Sequence, residues 1–252
     1  MHRFYLPAER TQNSRFTLDD GEAHHALHVL RIKPGERVVV LDGAGHELLC
    51  EVEQVDRTTV GLKLLQKHIQ PPLPYRLTLA QAVTRAKTMD LIVQKATELG
   101  VHRIVPIVSE RSVSQIEDEA AAGKLEKWHA TMVEAIKQCG STWLPIVDPP
   151  HTPQKFLASS ERFDLSLVAS LQTDARHPRE HFHNFELERK RRPKSICIWV
   201  GPEGDFTPAE MNVIRQAGAL AITLGPRVLR SETAAIYCLS VLNYELQAPS
   251  TA

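Results

Sequence analysis

The chain has 252 residues, 42% of them hydrophobic and 24% charged, values near the globular average that exclude a disordered or fibrous protein. Lys plus Arg and Asp plus Glu number 30 each, so the formal net charge is zero and a blanket basic coat for nucleic acid is excluded. Such a length predicts two domains, each large enough to bury its own core.

No apolar run approaches the roughly 18–20 residues needed to cross a bilayer, so no membrane association is expected. The first residues, Met1 to Arg10, lack the apolar stretch of a signal peptide. Cys50, Cys139, Cys197 and Cys238 are scattered without a CxxC pair, and Cys197 and Cys238 lie in apolar runs that suit inert buried thiols. A reduced cytoplasmic protein is the expectation.

In chain order, β signals come first. Residues 36–41 and 47–52 read as strands joined by the turn Asp42-Gly43-Ala44-Gly45, and 58–64 as a third with partial alternation. A helix is predicted over 22–30. Short strands with tight turns in about 70 residues suggest a small antiparallel barrel. Gln70-Pro71-Pro72-Leu73-Pro74 then reads as a stiff linker, separating domains at 1–70 and 75–248.

Beyond it, strands at 77–80, 101–108, 165–169, 196–200 and 220–224 are interleaved with helices at 89–99, 124–139, 208–217 and 232–246. Gly100 ends the first helix. Trp128 and Met132, at helical spacing, read as core. The continuously apolar Ile196-Cys197-Ile198-Trp199-Val200 suits a strand buried on both faces. Alternating strands and helices imply a mainly parallel α/β sheet.

Two loops carry the chemistry. Val200-Gly201-Pro202-Glu203-Gly204-Asp205-Phe206 leaves the end of the buried strand, and Thr207-Pro208-Ala209-Glu210 reads as a capping box with proline at the first helical position. Leu224-Gly225-Pro226-Arg227-Val228-Leu229-Arg230-Ser231-Glu232-Thr233-Ala234 likewise turns from a strand into a helix. Loops at the carboxyl ends of neighbouring strands would line one crevice, where open α/β sheets bind ligands. Neither loop matches the glycine fingerprints of dinucleotide or nucleoside-triphosphate sites. Arg230 and Glu232 at its rim fit either a solvated ion pair or a working pair, and the spacing leaves both open.

These two segments resemble the signature of SPOUT-class RNA methyltransferases, specifically the RsmE family. Matches continue in order through the chain: Arg3-Phe4, His24-His25 with Val29-Leu30-Arg31, Gln94-Lys95-Ala96-Thr97-Glu98-Leu99-Gly100-Val101, Glu110-Arg111-Ser112 and Gln138-Cys139-Gly140. The resemblance implies an N-terminal PUA-like β-barrel that binds RNA and a C-terminal SPOUT α/β domain with a trefoil knot. It also implies transfer of a methyl group from S-adenosyl-L-methionine to N3 of a uridine in 16S ribosomal RNA, naked or in the small subunit, by a homodimer needing no metal.

On that resemblance Leu171, Gly201, Glu203, Gly204, Leu224, Gly225, Val228 and Leu229 would hold the cofactor. Arg230 and Glu232 would be catalytic, and Arg3, His24, His25, Arg31 and Arg111 would contact RNA. The chain differs from the family pattern at Asp205, where a second glycine is usual, at Ser141, where arginine is common, and at Thr88, where lysine is frequent. Two other readings are a non-catalytic RNA-binding protein of the same fold, and a hydrolase with a metal on the clusters His24-His25-His28 or His177-His181-His183. Neither cluster has HExxH spacing or nearby cysteines, which speaks against a metal. Basic patches for phosphate are Arg3, Arg10, Arg15, Arg31 and Lys33, and Arg189 to Arg192 with Lys194.

Overall fold

The computed structural model describes residues 1–112, 118–159 and 161–247; the expected domain limit at 248 lies outside the described residues. The chain divides into two compact units, Met1–Pro72 with Val133–Leu144, and Leu73–Met132 with the chain from Pro145 onward.

In the first unit, β1 (Arg3–Tyr5), β2 (Arg15–Leu18), β3 (Arg37–Leu41), β4 (His46–Val55) and β5 (Val60–Ile69) form one curled sheet in the order β1-β3-β4-β5-β2. It is mixed rather than purely antiparallel, because β1 pairs in parallel with β3, Arg3 opposite Val39. Irregularities at Leu49/Cys50 and Val52/Gln54 break the β4–β5 ladder, and such bulges bend a sheet. Every second residue points inward: Phe16 and Leu18, Val38 and Val40, Leu48, Cys50 and Val52, Val60 and Leu62. Helix α1 (Asp20–His24) continues as a π-helical turn over His25–Leu30 and adds Ala23 and Ala26 to that core.

The second unit is an all-parallel sheet. Its strands are β6 (Arg76–Ala82), β7 (Arg103–Ile107), β8 (Ile146–Val147), β9 (Leu165–Ala169), β10 (Ser195–Val200) and β11 (Leu220–Ile222), in the order β11-β9-β10-β6-β7-β8. The helices are α2 (Ala86–Glu98), α3 (Asp118–Cys139), whose residues from Val133 on belong to the first unit, α4 (Pro153–Leu157), α5 (Pro178–Arg189), α6 (Pro208–Gln216) and α7 (Ser231–Gln247). None of the described helices is long and apolar enough to cross a membrane.

Local chemistry explains the helix starts. Thr152, His177 and Thr207 each accept a backbone N–H with their side chains, and proline follows each at the first helical position, where its missing donor costs nothing. Gly100, at φ 74°, closes α2 in the left-handed conformation that glycine adopts without strain. Central β10 is buried on both faces, and Trp199 packs against Phe156 and Phe206. Trp128 and Met132 are buried, as the helical spacing required. The second histidine cluster has structural work: His177 caps α5, and the buried His181 ring meets the Ala221 carbonyl at 3.1 Å.

All four cysteines are free thiols, and only Cys139 is exposed. Burial pushes the Cys50 and Cys238 thiols up to about 12 and raises Cys197 as well. A thiol reagent near neutral pH should therefore label one cysteine rapidly in the folded protein, mapped by mass spectrometry to Cys139, and all four after unfolding; rapid labelling of a second site would contradict this packing.

Candidate active site

Strands β9, β10 and β11 end side by side. From β9 the chain moves to β10 on one flank and then to β11 on the other, so the strand order reverses about β9. Ligands of open α/β sheets sit outside the carboxyl ends at such reversals. One expectation is corrected here: β10 and β11 are not neighbours, because β9 lies between them. The apolar β9 has backbone groups to satisfy on both edges, and two loop motifs say nothing about a strand placed between them.

The two loops nevertheless meet over β9 and enclose a crevice of about 570 Å³ including its open mouth. Leu171, Gly201, Glu203, Leu224, Gly225, Val228 and Leu229 all line it. Gly204 does not; its carbonyl accepts a 2.8 Å hydrogen bond from Arg111 Nη1 instead. Arg230 and Glu232 are not among the lining residues; they flank the lining residue Ser231 in sequence, and the arginine that does line the crevice is Arg227. The Arg230 carbonyl accepts the Ala234 N–H at 2.8 Å, which starts α7 and sets the arginine at that helix's amino end. Among the described residues Arg230 and Glu232 make no ion pair with each other.

The first loop is tightly wound. A Cβ on Gly201 would meet Asp205 Oδ1 at 2.9 Å and the Phe206 nitrogen at 3.3 Å, so the close approach requires glycine. Asp205 adopts φ 59°, the left-handed region, where aspartate is tolerated better than most side chains. Its Oδ1 accepts the Phe206 N–H at 2.8 Å, so the carboxylate supplies local support that a second glycine could not.

Two clasps hold the loops. Ser231 Oγ donates to the Gly201 carbonyl at 3.0 Å and accepts from Gln81 Nε2 at 3.0 Å, joining the start of α7 to both β10 and β6. Gln81 is fully buried and also donates to the Ala82 carbonyl, while its Oε1 has no partner among the described residues. The second clasp is Glu210, which is almost fully buried. Beyond its capping box with Thr207, it accepts Ser109 Oγ at 3.0 Å and the Glu110 N–H at 2.9 Å, binding the loop after β7 to α6. The sequence reading missed Gln81, Ser170 and the wider role of Glu210. A lone amide at the carboxyl end of a strand was the available signal for Gln81.

In the first unit, Arg3 Nη1 donates to the carbonyls of Lys137 and Gln138 at the end of α3, and its guanidinium lies against Gly140. His24 and His28 bring their rings within 4.7 Å, and the His25 ring meets Phe4 edge-on. Arg31 is exposed at φ 55°, closing the π-helical turn in the left-handed region. Of the basic patches, Arg10 is paired with Asp19, Arg15 with Glu53, Arg191 with Asp164 and Arg192 with Glu186. Among the described residues no group of three His, Cys, Asp or Glu side chains is placed to hold a metal.

Ser231→Ala removes the donor to the Gly201 carbonyl and one partner of the buried Gln81 amide. It should lower stability by about 1–3 kcal/mol, measured by denaturant unfolding; an unchanged midpoint would show that the clasp is not formed.

Residues 71–243 match the model of an RNA methyltransferase domain and residues 18–65 that of an RNA methyltransferase PUA domain. The ribosomal RNA small subunit methyltransferase E of Aquifex aeolicus is 32% identical, over 96% of this chain and 99% of its own length. That of Bacillus subtilis is 28% identical over 98% of both. Among solved structures, a putative methyltransferase from Legionella pneumophila in complex with SAM superposes with a TM-score of 0.87 at 30% identity, covering 96% of this chain and 97% of the other. The SAM-bound small subunit methyltransferase E of Neisseria gonorrhoeae gives 0.83 at 29% identity, covering 97% and 98%. By these matches, the chain belongs to the ribosomal RNA small subunit methyltransferase E family.

Proposed function

We propose that this protein transfers a methyl group from S-adenosyl-L-methionine to N3 of a uridine in 16S ribosomal RNA, as a cytoplasmic homodimer. The observation that carries this reading is the crevice over β9, with apolar lips, two close glycine backbones and an arginine at its rim. The residues present fit the cofactor. Leu171, Leu224, Val228 and Leu229 offer apolar surface to a flat base and a methyl group, and Gly201, Glu203 and Gly225 offer backbone and carboxylate groups to polar parts. Gly204 belongs to that set through the loop it shapes.

The bound cofactor supplies an electrophilic methyl group, and the protein's task is chiefly to hold the uracil in line with it. N3 of uracil carries an imide proton that must leave. A carboxylate of ordinary pKa, about 4.3 for glutamate, is a weak base for so weak an acid. Arg230 therefore stabilises the negative charge that develops on the uracil carbonyl oxygens, aided by the positive end of α7. Glu232, on the first turn of α7, is not paired with Arg230 in this structure, and we assign it to orient the arginine once substrate is bound. N3 lies on the Watson–Crick edge, so the uridine enters unpaired or flipped out.

RNA contacts in the first unit, whose residues 18–65 match an RNA methyltransferase PUA domain, fall to Arg3, His24, His25 and Arg31. Arg111 in the second unit contributes from beside Gly204. The trefoil knot of the family is supported by the path of the chain: after edge strand β11 it returns to the middle of the sheet, where α7 packs on β6 and β10. Dimerisation is supported by α7 itself. With one face in the core it still exposes Tyr237 and Tyr244, while Leu171 and Val228 are exposed at the crevice.

Labelled cofactor and small-subunit particles from cells lacking the protein should give methyl incorporation at one uridine, mapped by mass spectrometry. Cofactor binding without transfer would favour a non-catalytic RNA-binding protein. Arg230→Ala should lower the single-turnover rate about 10²–10³-fold with the calorimetric Kd for cofactor unchanged; an unchanged rate removes the arginine from the mechanism. Light scattering should give twice the chain mass, shifting toward the monomer in a Tyr237→Glu/Tyr244→Glu variant.

A further inference from the structure

Trp143 stands apart from the other tryptophans. It is 40% exposed, whereas Trp128 and Trp199 are 3% and 1% exposed. Large aromatic surface left in water calls for an explanation when the side chain is also held rigid, and this one is held from several directions. Its Nε1–H donates to the Gln70 carbonyl at 3.0 Å, so the indole's polar edge is already satisfied. Ser141 Oγ accepts the Trp143 N–H and donates to the Trp143 carbonyl.

The segment is also stitched to the turn between β3 and β4. The Gly45 N–H donates to the Thr142 carbonyl at 2.9 Å, and the Leu144 N–H to the Gly43 carbonyl at 3.0 Å. The six-membered ring lies so close over Gly45 that a Cβ there would meet its Cζ2 at 2.5 Å. Gly45 also adopts φ 100°, so both conformation and space demand glycine. The result is an indole fixed by backbone contacts, with its remaining surface open.

Trp143 belongs to the unit whose residues 18–65 match an RNA methyltransferase PUA domain. Within that unit Arg3 lies against Gly140, three residues before Trp143. A pre-ordered aromatic surface is what an unpaired base stacks on. We infer that Trp143 is a stacking platform for one unpaired nucleobase of the RNA substrate. The inference rests on the reading of the protein as an rRNA methyltransferase.

Because the other two tryptophans are buried, collisional quenching by iodide reports on Trp143 almost alone. A single-stranded small-subunit rRNA fragment added to the full-length protein should shield Trp143 from iodide, and a fully paired duplex should not. Trp143→Ala should weaken binding of the labelled fragment about tenfold, read by anisotropy, and Trp143→Phe should restore most of it. Unchanged affinity in Trp143→Ala with a lowered unfolding midpoint would assign the indole to packing alone. Iodide shielding before RNA is added, lost on dilution to monomer, would assign it to contact between copies. If Trp143→Ala fails to fold, shielding of the unmodified protein and the affinity of Trp143→Phe still decide the matter. Methyl transfer with Trp143 unshielded overturns this inference only, whereas absence of any RNA binding or transfer overturns the functional reading beneath it.

Discussion

One serine hydroxyl sets the shape of the crevice. Ser231 Oγ uses its proton for the Gly201 carbonyl and its lone pair for the Gln81 amide. Those two bonds tie the start of α7 to loops and strands far away in sequence. They form where solvent is excluded, so each is stronger than on the surface and an unmade bond costs more. Arg230 immediately precedes this serine in the chain.

The loop after β10 shows how a side chain substitutes for a missing glycine. Asp205 accepts a left-handed backbone and offsets its cost by hydrogen-bonding the next amide with its own carboxylate. The same carboxylate, with the backbone of Asp205 and Phe206, crowds the space a Cβ on Gly201 would need. Arg111 then fastens the Gly204 carbonyl from outside the crevice. A residue expected only to meet RNA thus has a structural contact with the loop after β10.

The zero net charge acquires a physical meaning in the same way. Arg10, Arg15, Arg191 and Arg192 are paired with carboxylates, and Arg3 is spent partly on the carbonyls ending α3. Lys137, nearly buried, bonds Glu22 and Glu134; burial alone would lower its pKa, and these two hydrogen bonds outweigh that and raise it. Much of the basic content therefore holds the protein together, and RNA recognition falls to a few placed groups rather than a diffuse field.

Local rules made much of this protein legible in its residues alone. Strand-forming runs with tight turns marked β3, β4 and β5 of the first unit but not the short β1 and β2, proline after a capping side chain marked α6, Gly100 marked the end of α2, and an unbroken apolar run marked β10, because each signal acts within a few residues. The two glycine-bearing loops were visible for the same reason, and the family resemblance supplied the chemistry expected of them. Tertiary structure alone decided which strand lies between β10 and β11, that Gly204 faces Arg111, that Glu210 reaches Ser109, and that Gln81 supports Ser231 across 150 positions. Contacts between distant segments depend on which surfaces the packed sheet brings within about 3 Å of one another, and no periodicity or spacing along a chain encodes that distance.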